Sequence, residues 1–379
     1  METVNLHLYM TNFTMSKSRI LKETGSIASS GMVNRVYVVA LWAQNQLRVE
    51  KLGKKRLVLR IQLKTRNMPK ILFSQILKYM EITLKTVMIL KKKNIKYVNC
   101  HHLDSLPMGF LFKILKGSMV IYDTHELETE RFGLSGVRKR LSKLLEKWII
   151  SYADKIIVVN DSIAQWYRER YSLNNISVVK NVPRYTDFGG EKTDILKRKF
   201  LLKDDEILYT YVGSLNPGRG IFTILEAFTK VSGKSHIVFI GNGSLKILIE
   251  EYEKKFNNIH YQEEIRYDDI SKYTSSADIG IALIENDCLS YYYCLPNKVF
   301  EYFMSGLPMI VSDFPEMGRF IDENNCGWKI PVNTSALVDV IHKITLNDLI
   351  GKRDAVMKNH KKYCWCNEEK TLFEVFRTT

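Results

Sequence analysis

The strongest chemical signal in the sequence is a glycine-containing turn between an apolar segment and a helix. Residues 209–220 read YTYVGSLNPGRG and lead into a predicted helix over residues 221–231. The glycines let the backbone approach a phosphate group, and the helix N-terminus supplies free N–H groups and positive potential. Arg219 can bind a diphosphate through two parallel hydrogen bonds. A purely structural turn at Gly213 is the alternative interpretation.

A second segment, residues 295–308 (LPNKVFEYFMSGLP), places a cation at the start of a predicted helix. Asn297 and Lys298 open that helix, and Glu301 follows one turn later. A cation at a helix start is electrostatically unfavourable by itself, whereas a bound diphosphate would explain it. Glu301 is placed to accept hydrogen bonds from ribose hydroxyls. Alternatively, it only favours the helix N-terminus.

Histidines follow two predicted strands in the N-terminal half. His101 and His102 come after the apolar residues 97–100, and His125 lies just beyond residues 119–122. A metal site built from these three histidines is one interpretation, but their spacing is not diagnostic of a metal. A structural role for His125 is a further alternative.

Alternating apolar strands and helices must position these residues. Strands are predicted at residues 4–10, 36–41, 97–100, 119–122, 155–159, 207–212, 236–240, 259–261, 279–283 and 309–311. Helices are predicted between them, including residues 18–30, 221–231 and 298–304. This rhythm predicts an α/β fold with a doubly wound parallel sheet in each half of the chain. Ligands of such sheets bind in crevices at the carboxyl ends of the strands, so we expect the active site between the two halves.

The length of 379 residues favours two domains. Turn-rich segments at residues 181–183 and 188–190 separate the two alternating regions and are typical of a linker. We therefore predict an N-terminal acceptor-binding domain, a C-terminal donor-binding domain and a terminal helix that returns to the first domain. The predicted boundaries are residues 1–188, 189–352 and 353–379.

The composition is that of an ordinary globular enzyme, with 45% hydrophobic and 26% charged residues. No apolar run approaches the roughly 18 residues that would span a bilayer, and residues 1–13 lack the features of a secretory leader. A cytoplasmic location is therefore expected. The six cysteines show no zinc-type pairing and are interpreted as reduced thiols, as is usual in that compartment.

The net charge of +15 is concentrated in the first half of the chain. Residues 1–190 contain 32 lysines and arginines against 14 acidic residues. Such a field favours an anionic partner, namely a phospholipid surface, a phosphorylated lipid or nucleic acid. A solvated basic face is the alternative.

Residues 69–93 combine apolar side chains at helical spacing with several lysines. A basic amphipathic helix of this kind can lie in a membrane interface. The competing interpretation is a core helix of the first domain with an exposed lysine face.

Taken together, these segments resemble the retaining glycosyltransferases of the GT-B fold, specifically family 4 (glycosyl transferases group 1), over nearly the whole chain. Members of that family typically show G-R-x-x-x-x-K-G after a strand. Gly213, Arg219 and Gly220 match this pattern, with arginine in place of the lysine, and Ser214 stands at the family's first arginine. The resemblance implies that Lys298 takes a larger share of the phosphate contact.

The family also has two glutamates separated by seven residues. Glu301 matches the second, which usually holds the ribose, whereas Tyr293 stands at the first, which commonly contacts the donor sugar. Gly243 resembles part of the family's base-side loop, and Arg266, within residues 265–267, lies where the base is often cradled. The implied donor-binding residues are Gly213, Ser214, Arg219, Gly243, Arg266, Tyr293, Asn297, Lys298 and Glu301.

Residues 122–128 (YDTHELE) resemble the family's strand-end histidine segment, which implies that His125 faces the donor sugar and the reaction centre. His101, Asp104 and Ser18 are assigned to the acceptor side. The polar loop at residues 11–19 lacks the glycine pair of many members.

The implied reaction is transfer of a hexose-type sugar from a nucleoside diphosphate to an acceptor hydroxyl with retention. Arg219 and Lys298 would stabilise the leaving diphosphate, and His125 would act at the reaction centre. No cofactor and no metal ion are expected, because the two cations and the helix dipoles would take the metal's place.

The acceptor is expected to be a polyprenyl-diphosphate-linked saccharide, because the basic first half suits contact with an anionic membrane surface at its cytoplasmic face. The enzyme would then belong to O-antigen, capsule or exopolysaccharide assembly. A nucleotide-sugar epimerase or hydrolase of the same architecture is one alternative. A non-enzymatic nucleic-acid-binding protein is another, although no nucleic-acid-binding signature is present in the sequence.

Overall fold

A computed structural model of the protein describes residues 2–14, 18–69, 71–185, 192–231, 233–266 and 269–377. The chain forms two compact units, one comprising Met1–Lys180 with Glu369–Thr379 and the other comprising Asn181–Glu368. The predicted domain boundary at residues 188 and 189 lies outside the described residues.

The first unit is built on an eight-stranded sheet in the order β3-β4-β2-β1-β5-β6-β7-β8. Its strands are β1 (Thr3–Asn12), β2 (Arg35–Leu41), β3 (Val49–Lys51), β4 (Arg56–Ile61), β5 (Asn94–His101), β6 (Met119–Asp123), β7 (Lys155–Val158) and β8 (Ile176–Val178). All pairs are parallel except β3 with β4. The five strands predicted for this half are confirmed. The apolar run of β2 is buried throughout its centre, as expected for a strand covered on both faces.

Five helices accompany this sheet, and the end of a sixth joins them. They are α1 (Ser18–Ser29), α2 (Leu72–Leu90), α3 (Leu106–Lys116), α4 (Gly136–Ile149) and α5 (Asp161–Tyr171), together with the C-terminal part of α15 (Trp365–Arg377). Near the end of α15, the Phe376 ring packs edge-on against Tyr97 of β5, with ring centroids 5.0 Å apart.

The second unit contains a six-stranded parallel sheet in the order β11-β10-β9-β12-β13-β14. Its strands are β9 (Ile207–Val212), β10 (Ser235–Ile240), β11 (Ile259–Gln262), β12 (Ile279–Ala282), β13 (Met309–Ser312) and β14 (Gly327–Ile330). The five strands predicted for this half are confirmed to within one or two residues. Alternate residues of β9, such as Tyr209 and Tyr211, are buried and pack in one core with the apolar face of the helix that follows.

Helices precede, connect and follow the strands of the second unit. They are α6 (Ile195–Lys199), α7 (Ile221–Phe228), α8 (Lys246–Lys255), α9 (Ile270–Thr274), α10 (Leu289–Tyr292), α11 (Asn297–Met304), α12 (Pro315–Asn324), α13 (Thr334–Lys343), α14 (Leu346–Asn359) and the start of α15. The predicted helix over residues 221–231 ends earlier, at Phe228, where the chain turns towards β10.

Each sheet reverses its strand order beside its first strand. In the first unit β1 lies between β2 and β5, and in the second unit β9 lies between β10 and β12. Loops leave in opposite directions at such a switch point and open a crevice at the carboxyl ends of the strands. Among the residues predicted to do chemistry, His101 ends β5, beside β1, and Gly213 directly follows β9.

The prediction that all six cysteines are reduced is wrong for two of them. Cys364 and Cys366 form a disulfide, with their Cα atoms 5.4 Å apart. Cys364 has an extended backbone between a 3-10 turn and α15, and this places the two side chains on the same side of the chain. Cys100, Cys288, Cys294 and Cys326 are not part of a disulfide.

Every helix within the described ranges is either too short or not apolar enough to cross a membrane.

Candidate functional site

The turn after β9 is locked against the loop after β10. Gly213 has φ +126°, a backbone conformation that favours glycine. A Cβ atom on Gly243 would lie 2.3 Å from the carbonyl oxygen of Leu215, so only glycine fits there. The Leu215 N–H donates to the Asn242 carbonyl at 2.9 Å, and the Leu245 N–H donates to the Leu215 carbonyl at 2.9 Å. These contacts hold the two predicted phosphate- and base-side loops in a fixed relation.

Ser214, which stands where the family has an arginine, is exposed and held by Asn216. The Asn216 side-chain amide donates to Ser214 Oγ at 2.5 Å. Its oxygen accepts hydrogen bonds from the Ser244 backbone at 2.9 Å and the Ser244 hydroxyl at 3.0 Å. Asn216 therefore joins the two loops. Sequence reasoning missed it, because only its place two residues after Ser214 hinted at a local hydrogen bond.

Lys298 is a buried amine without a hydrogen bond among the described residues. Its side chain is 9% exposed, and Nζ lies 3.3 Å from the centroid of the Tyr211 ring. A Cβ atom on Gly213 would lie 3.8 Å from Nζ, which places the amine beside the glycine turn. Burial and the nearby positive charge of Arg219 hold the pKa of Lys298 well below its usual value.

Arg219 lies on the other side of this turn, with its guanidinium carbon 4.6 Å from the centroid of the Tyr291 ring. Within the described ranges, neither Arg219 nor Lys298 forms an ion pair with a carboxylate within 4 Å. Two basic side chains held by tyrosine rings, with no carboxylate in an ion pair with them in the described parts of the chain, are a candidate binding site for an anion. Sequence reasoning missed Tyr211 and Tyr291, although both belong to aromatic-rich segments beside the predicted motifs.

The four remaining predicted donor residues are Asn297, Glu301, Tyr293 and Arg266. Asn297 begins α11 and is exposed, and its side-chain oxygen accepts a hydrogen bond from Asn181 at 2.8 Å. Glu301 is half-buried one turn later on α11, and its charge acts on Lys298. Tyr293 is half-buried, with its ring 5.3 Å from that of Tyr292. Arg266 is exposed beyond β11. Tyr267, the last residue of the predicted base-side segment 265–267, lies outside the described residues.

In the first unit, the carboxylate of Asp123 is the centre of a buried polar network at the end of β6. Arg19 of α1 donates to both carboxylate oxygens, from Nη2 at 2.7 Å and from Nε at 3.3 Å. His101 Nδ1 lies 2.9 Å from Oδ2, and His125 Nε2 lies 3.2 Å from the same oxygen. The structure thus brings together His101 and His125, which the sequence placed at the ends of two different strands.

At neutral pH this network contains the ionised carboxylate of Asp123, the guanidinium cation of Arg19 and neutral imidazole rings. Burial opposes ionisation of Asp123, but Arg19 and then His125 outweigh it and hold its pKa well below the usual value. Burial also lowers the pKa of His125 to about 4, despite the neighbouring carboxylate. His101 is completely buried, whereas the His125 side chain is 21% exposed. His125 is therefore the member through which the network can reach a ligand.

The predicted acceptor-side residues occupy different surroundings. His102 has φ 73° and ψ 160°, a strained combination for a residue with a side chain, and its Nδ1 lies 2.7 Å from Glu128. Burial favours its neutral ring, but Glu128 outweighs this and raises the pKa of His102. Burial of its carboxyl group and the charge of Glu128 together outweigh the opposing effect of His102 and raise the pKa of Asp104 to about 6. Ser18 is the first residue of α1 and is half-buried.

Among the residues of the first unit that the structure describes, two groups of side chains have ligand atoms close enough for a metal ion. They are His7, Glu23 and His101, and His101, Asp123 and His125. Arg19, however, donates to Asp123 and lies 3.0 Å from Glu23, so a divalent cation would have to sit beside a buried guanidinium. This charge balance favours a network complete without a metal.

Comparison with known families divides the chain in the same way as the fold does. Residues 31–182 match the model of Glycosyltransferase Family 4, and residues 192–363 match that of Glycosyl transferases group 1. An uncharacterized glycosyltransferase of Methanocaldococcus jannaschii is 22% identical over 300 residues, which cover 74% of each chain.

Solved glycosyltransferase structures share this fold at low sequence identity. Sucrose-phosphate synthase from Thermosynechococcus elongatus has a TM-score of 0.79 and 15% identity, covering 100% of this chain and 98% of that one. HepE of Anabaena, in complex with UDP-glucose, has a TM-score of 0.72 and 12% identity over 98% and 99% of the chains. WaaG, a glycosyltransferase involved in lipopolysaccharide biosynthesis, has a TM-score of 0.74 and 13% identity over 99% and 100%. These likenesses establish the GT-B fold.

Proposed function

The chain belongs to glycosyltransferase family 4, and from this premise we propose that it moves a hexose-type sugar from a nucleoside diphosphate to an acceptor hydroxyl with retention. The observation that carries the proposal is the pair of basic residues, Lys298 and Arg219, at the glycine turn, which form no ion pair with any carboxylate that the structure describes. A nucleoside diphosphate supplies the missing negative charge. Retention rests on the family premise.

The cation pair would act mainly on the leaving group. Negative charge grows on the diphosphate as the bond to the sugar breaks, and preorganised cations in a water-poor site stabilise that charge most. A bound diphosphate would also favour the charged form of Lys298 and remove the cost of its burial. We assign Gly213, Ser214 and Asn297 to the phosphate side.

The remaining donor residues would bind the rest of the nucleotide sugar. We assign Glu301 to the ribose hydroxyls, Gly243 and Arg266 to the base side, and Tyr293 to the sugar side. In the first unit, His125 would contact the sugar near the reaction centre.

Adding the correct nucleotide sugar is expected to raise the melting temperature selectively, since ligand that binds only the folded state stabilises it by mass action. At 100 times the Kd the gain is about 2.7 kcal/mol. A panel of nucleoside diphosphates and nucleotide sugars, including UDP-glucose, should be measured on the wild type and on Arg219→Ala. A selective shift that the variant loses supports the donor site. Millimolar ligand without any shift in a folded protein would count against it.

The acceptor we propose is a polyprenyl-diphosphate-linked saccharide at an anionic membrane surface, as in assembly of a bacterial surface polysaccharide. Helix α4 supports this best. In this fully described helix Glu146 is the only buried residue. Tyr122 and Tyr167 donate to one of its oxygens at 3.0 and 2.9 Å, and Tyr171 donates to the other at 2.8 Å. The acid thus holds the helix to the unit while the rest of its surface remains outside the core.

The exposed surface of α4 is both apolar and basic. Its large apolar side chains are 41–71% exposed, and they are Val137, Leu141, Leu144, Leu145 and Trp148. Its cations are Arg138, Lys139, Arg140, Lys143 and Lys147. Helix α2, which lies within the segment 69–93 and contains two lysines, also exposes apolar residues, among them Leu72, Phe73 and Leu84. Apolar burial combined with attraction to anionic headgroups is how such helices bind a membrane interface.

Replacing Leu144 and Trp148 together with serine is expected to reduce binding to phosphatidylglycerol vesicles by at least tenfold. Each large apolar side chain contributes about 1.5–3 kcal/mol when buried, so loss of two exceeds the 1.4 kcal/mol of a tenfold change. Ile247→Ser is the matched control, because Ile247 is 70% exposed in the second unit. Sedimentation with phosphatidylglycerol and with phosphatidylcholine vesicles measures the effect. Equal binding of wild type and double variant would rule out α4 as the docking surface.

A further inference from the structure

A continuous chain of buried polar side chains runs from β5 and β1 to His125. Asn99 and Asn5 meet through their side-chain amides at 2.7 Å. The Asn5 amide meets His7 Nε2 at 2.6 Å, and His7 Nδ1 meets His101 Nε2 at 2.8 Å. His101 then reaches Asp123, which His125 also contacts. Asn5, His7, Asn99 and His101 are all fully buried. Neither the glycosyl transfer nor the fold explains why this chain is polar.

One direction of hydrogen bonding fails along this chain. If the Asn5 oxygen faces His7, then His7 Nε2 carries the proton and its Nδ1 accepts from His101 Nε2. Neutral His101 would then have no proton on Nδ1, which lies 2.9 Å from the Asp123 carboxylate. The Asn99 amide nitrogen would also stay buried without a hydrogen-bond partner. A buried donor left without an acceptor destabilises the folded state, so this direction is disfavoured.

The opposite direction gives every histidine a matched partner and gives up only the long hydrogen bond, 3.4 Å, from the Asn5 amide to the Tyr97 carbonyl. The oxygen and nitrogen of an asparagine amide occupy nearly equivalent positions, so their assignment follows from the network. With both amides reversed, Asn99 donates to Asn5, and Asn5 donates to His7 Nε2. His7 Nδ1–H then donates to His101 Nε2, and His101 Nδ1–H donates to Asp123. All histidines in this chain are neutral, in keeping with the lowered pKa values of His7 and His101.

The tautomer of His125 follows from the same carboxylate. A lone pair on His125 Nε2 would face the Asp123 oxygen at 3.2 Å, which is repulsive, whereas an N–H there donates to it. When Nε2 of the neutral His125 ring carries the proton, the lone pair is on Nδ1. Both hydrogen-bonding contacts of His125 in the described structure, to Asp123 and to His101, use Nε2. Nδ1 is therefore the nitrogen left for a ligand.

We infer that the chain runs in one direction to Asp123 and that the Asp123 carboxylate fixes His125 as a hydrogen-bond acceptor through Nδ1, so that His125 binds a ligand hydroxyl and cannot donate to a ligand oxygen. His7 and His101 are positioning residues that act through Asp123 and His125, since their burial keeps them from touching substrate. That the ligand hydroxyl belongs to a donor sugar rests on the proposed function. The proton pattern itself does not.

The ring nitrogens can be read directly by NMR of the unliganded protein labelled with ¹⁵N-histidine. His7 and His101 are expected as Nδ1–H tautomers and His125 as the Nε2–H tautomer at neutral pH. Single His→Gln variants assign the signals, and His342, on the partly exposed helix α13, serves as the reference. An Nε2–H tautomer for His7 or His101, a doubly protonated His101, or an Nδ1–H tautomer for His125 would overturn the inference.

The direction of the chain can also be reversed deliberately. Asn5→Asp replaces the amide donor with an acceptor, so His7 is expected to switch to the Nε2–H tautomer while His125 keeps its own. The stacked pair His236 and His260 in the second unit should be unchanged, which provides an internal control for folding. A His7 tautomer that does not respond would contradict the one-directional chain. Wild-type tautomers decide the matter if this variant does not fold.

A titration with UDP-glucose separates this inference from the proposed function. A hydroxyl that donates to His125 should shift the Nδ1 resonance of that ring while leaving its Nε2–H and the tautomers of His7 and His101 in place. The expected tautomers without any ligand-induced shift would count against UDP-glucose as the donor, and the inferred chain would stand. A ligand that converts His125 to the Nδ1–H form would contradict the inference.

Discussion

Replacing Lys298 with methionine is expected to raise the melting temperature of the unliganded protein and to abolish its response to nucleoside diphosphates. The amine is buried without a hydrogen bond, so the unliganded fold bears the cost of its desolvation. Methionine has a similar shape and no charge. For a unit of this size, each kcal/mol regained raises the melting temperature by about 2–4 °C.

The gain should depend on pH in a defined direction. The pKa of Lys298 is lowered in the folded state, so the unfolded chain binds this proton more tightly than the folded one. The stability deficit of the wild type is therefore present at neutral pH and shrinks as pH rises towards the ordinary value of 10.5. The difference between variant and wild type should shrink over the same range.

Although Lys298→Met should raise the melting temperature, it should lower the rate of catalysis. Loss of one preorganised group that stabilises developing charge lowers kcat by about 10²–10³-fold. Lys230→Met is the matched control, because Lys230 is an exposed lysine of the same unit that pairs only with Glu226 in the described structure. Thermal unfolding with and without diphosphate, together with turnover of the donor selected by the panel, tests both parts. A variant that is less stable and still responds to diphosphate would refute the assigned role.

Converting Asp123 to asparagine is expected to destabilise the first unit by at most about 3–5 kcal/mol, because it removes one of the two buried carboxyl groups that contact Arg19 and leaves only Glu23, 3.0 Å away. Arg19 is 4% exposed and Asp123 is completely buried. The double variant Arg19→Met with Asp123→Asn removes both charges. It should recover part of the lost stability, because neither charge then remains unpaired. Glu2→Gln breaks the exposed pair with Arg35 and should cost less than 1 kcal/mol.

Hydrogen exchange of the β1, β5 and β6 amides measures this loss within the first unit, where a whole-chain transition would mix both units. The pKa of Asp123 is lowered, so its contribution is complete above the unfolded value of about 3.9 and is lost only as pH falls further. The difference between wild type and Asp123→Asn should therefore be constant from pH 5 to 7. An additive double variant would show that the two charges do not stabilise each other.

The sequence by itself determined the order of the main strands and helices, the α/β class and the positions of the glycine turn and of the cation that opens α11. These features are local, because strand length, helical spacing and turn residues are read within a few positions. Four strands escaped this reading, namely β3, β4, β8 and β14. β3 and β8 have only three residues each, and charged residues surround or interrupt β4 and β14.

Only the tertiary structure decided what surrounds the predicted residues. His7 and His101 are 94 positions apart and meet because β1 pairs with β5 in one register. Lys298 lies over Tyr211 because α11 packs beside β9, and α4 is held by one acid because three tyrosines from β6 and α5 converge on it. The burial of a side chain, the compensation of its charge and the tautomer of a histidine all depend on neighbours that are distant in the chain. Sheet register and packing determine which residues those neighbours are.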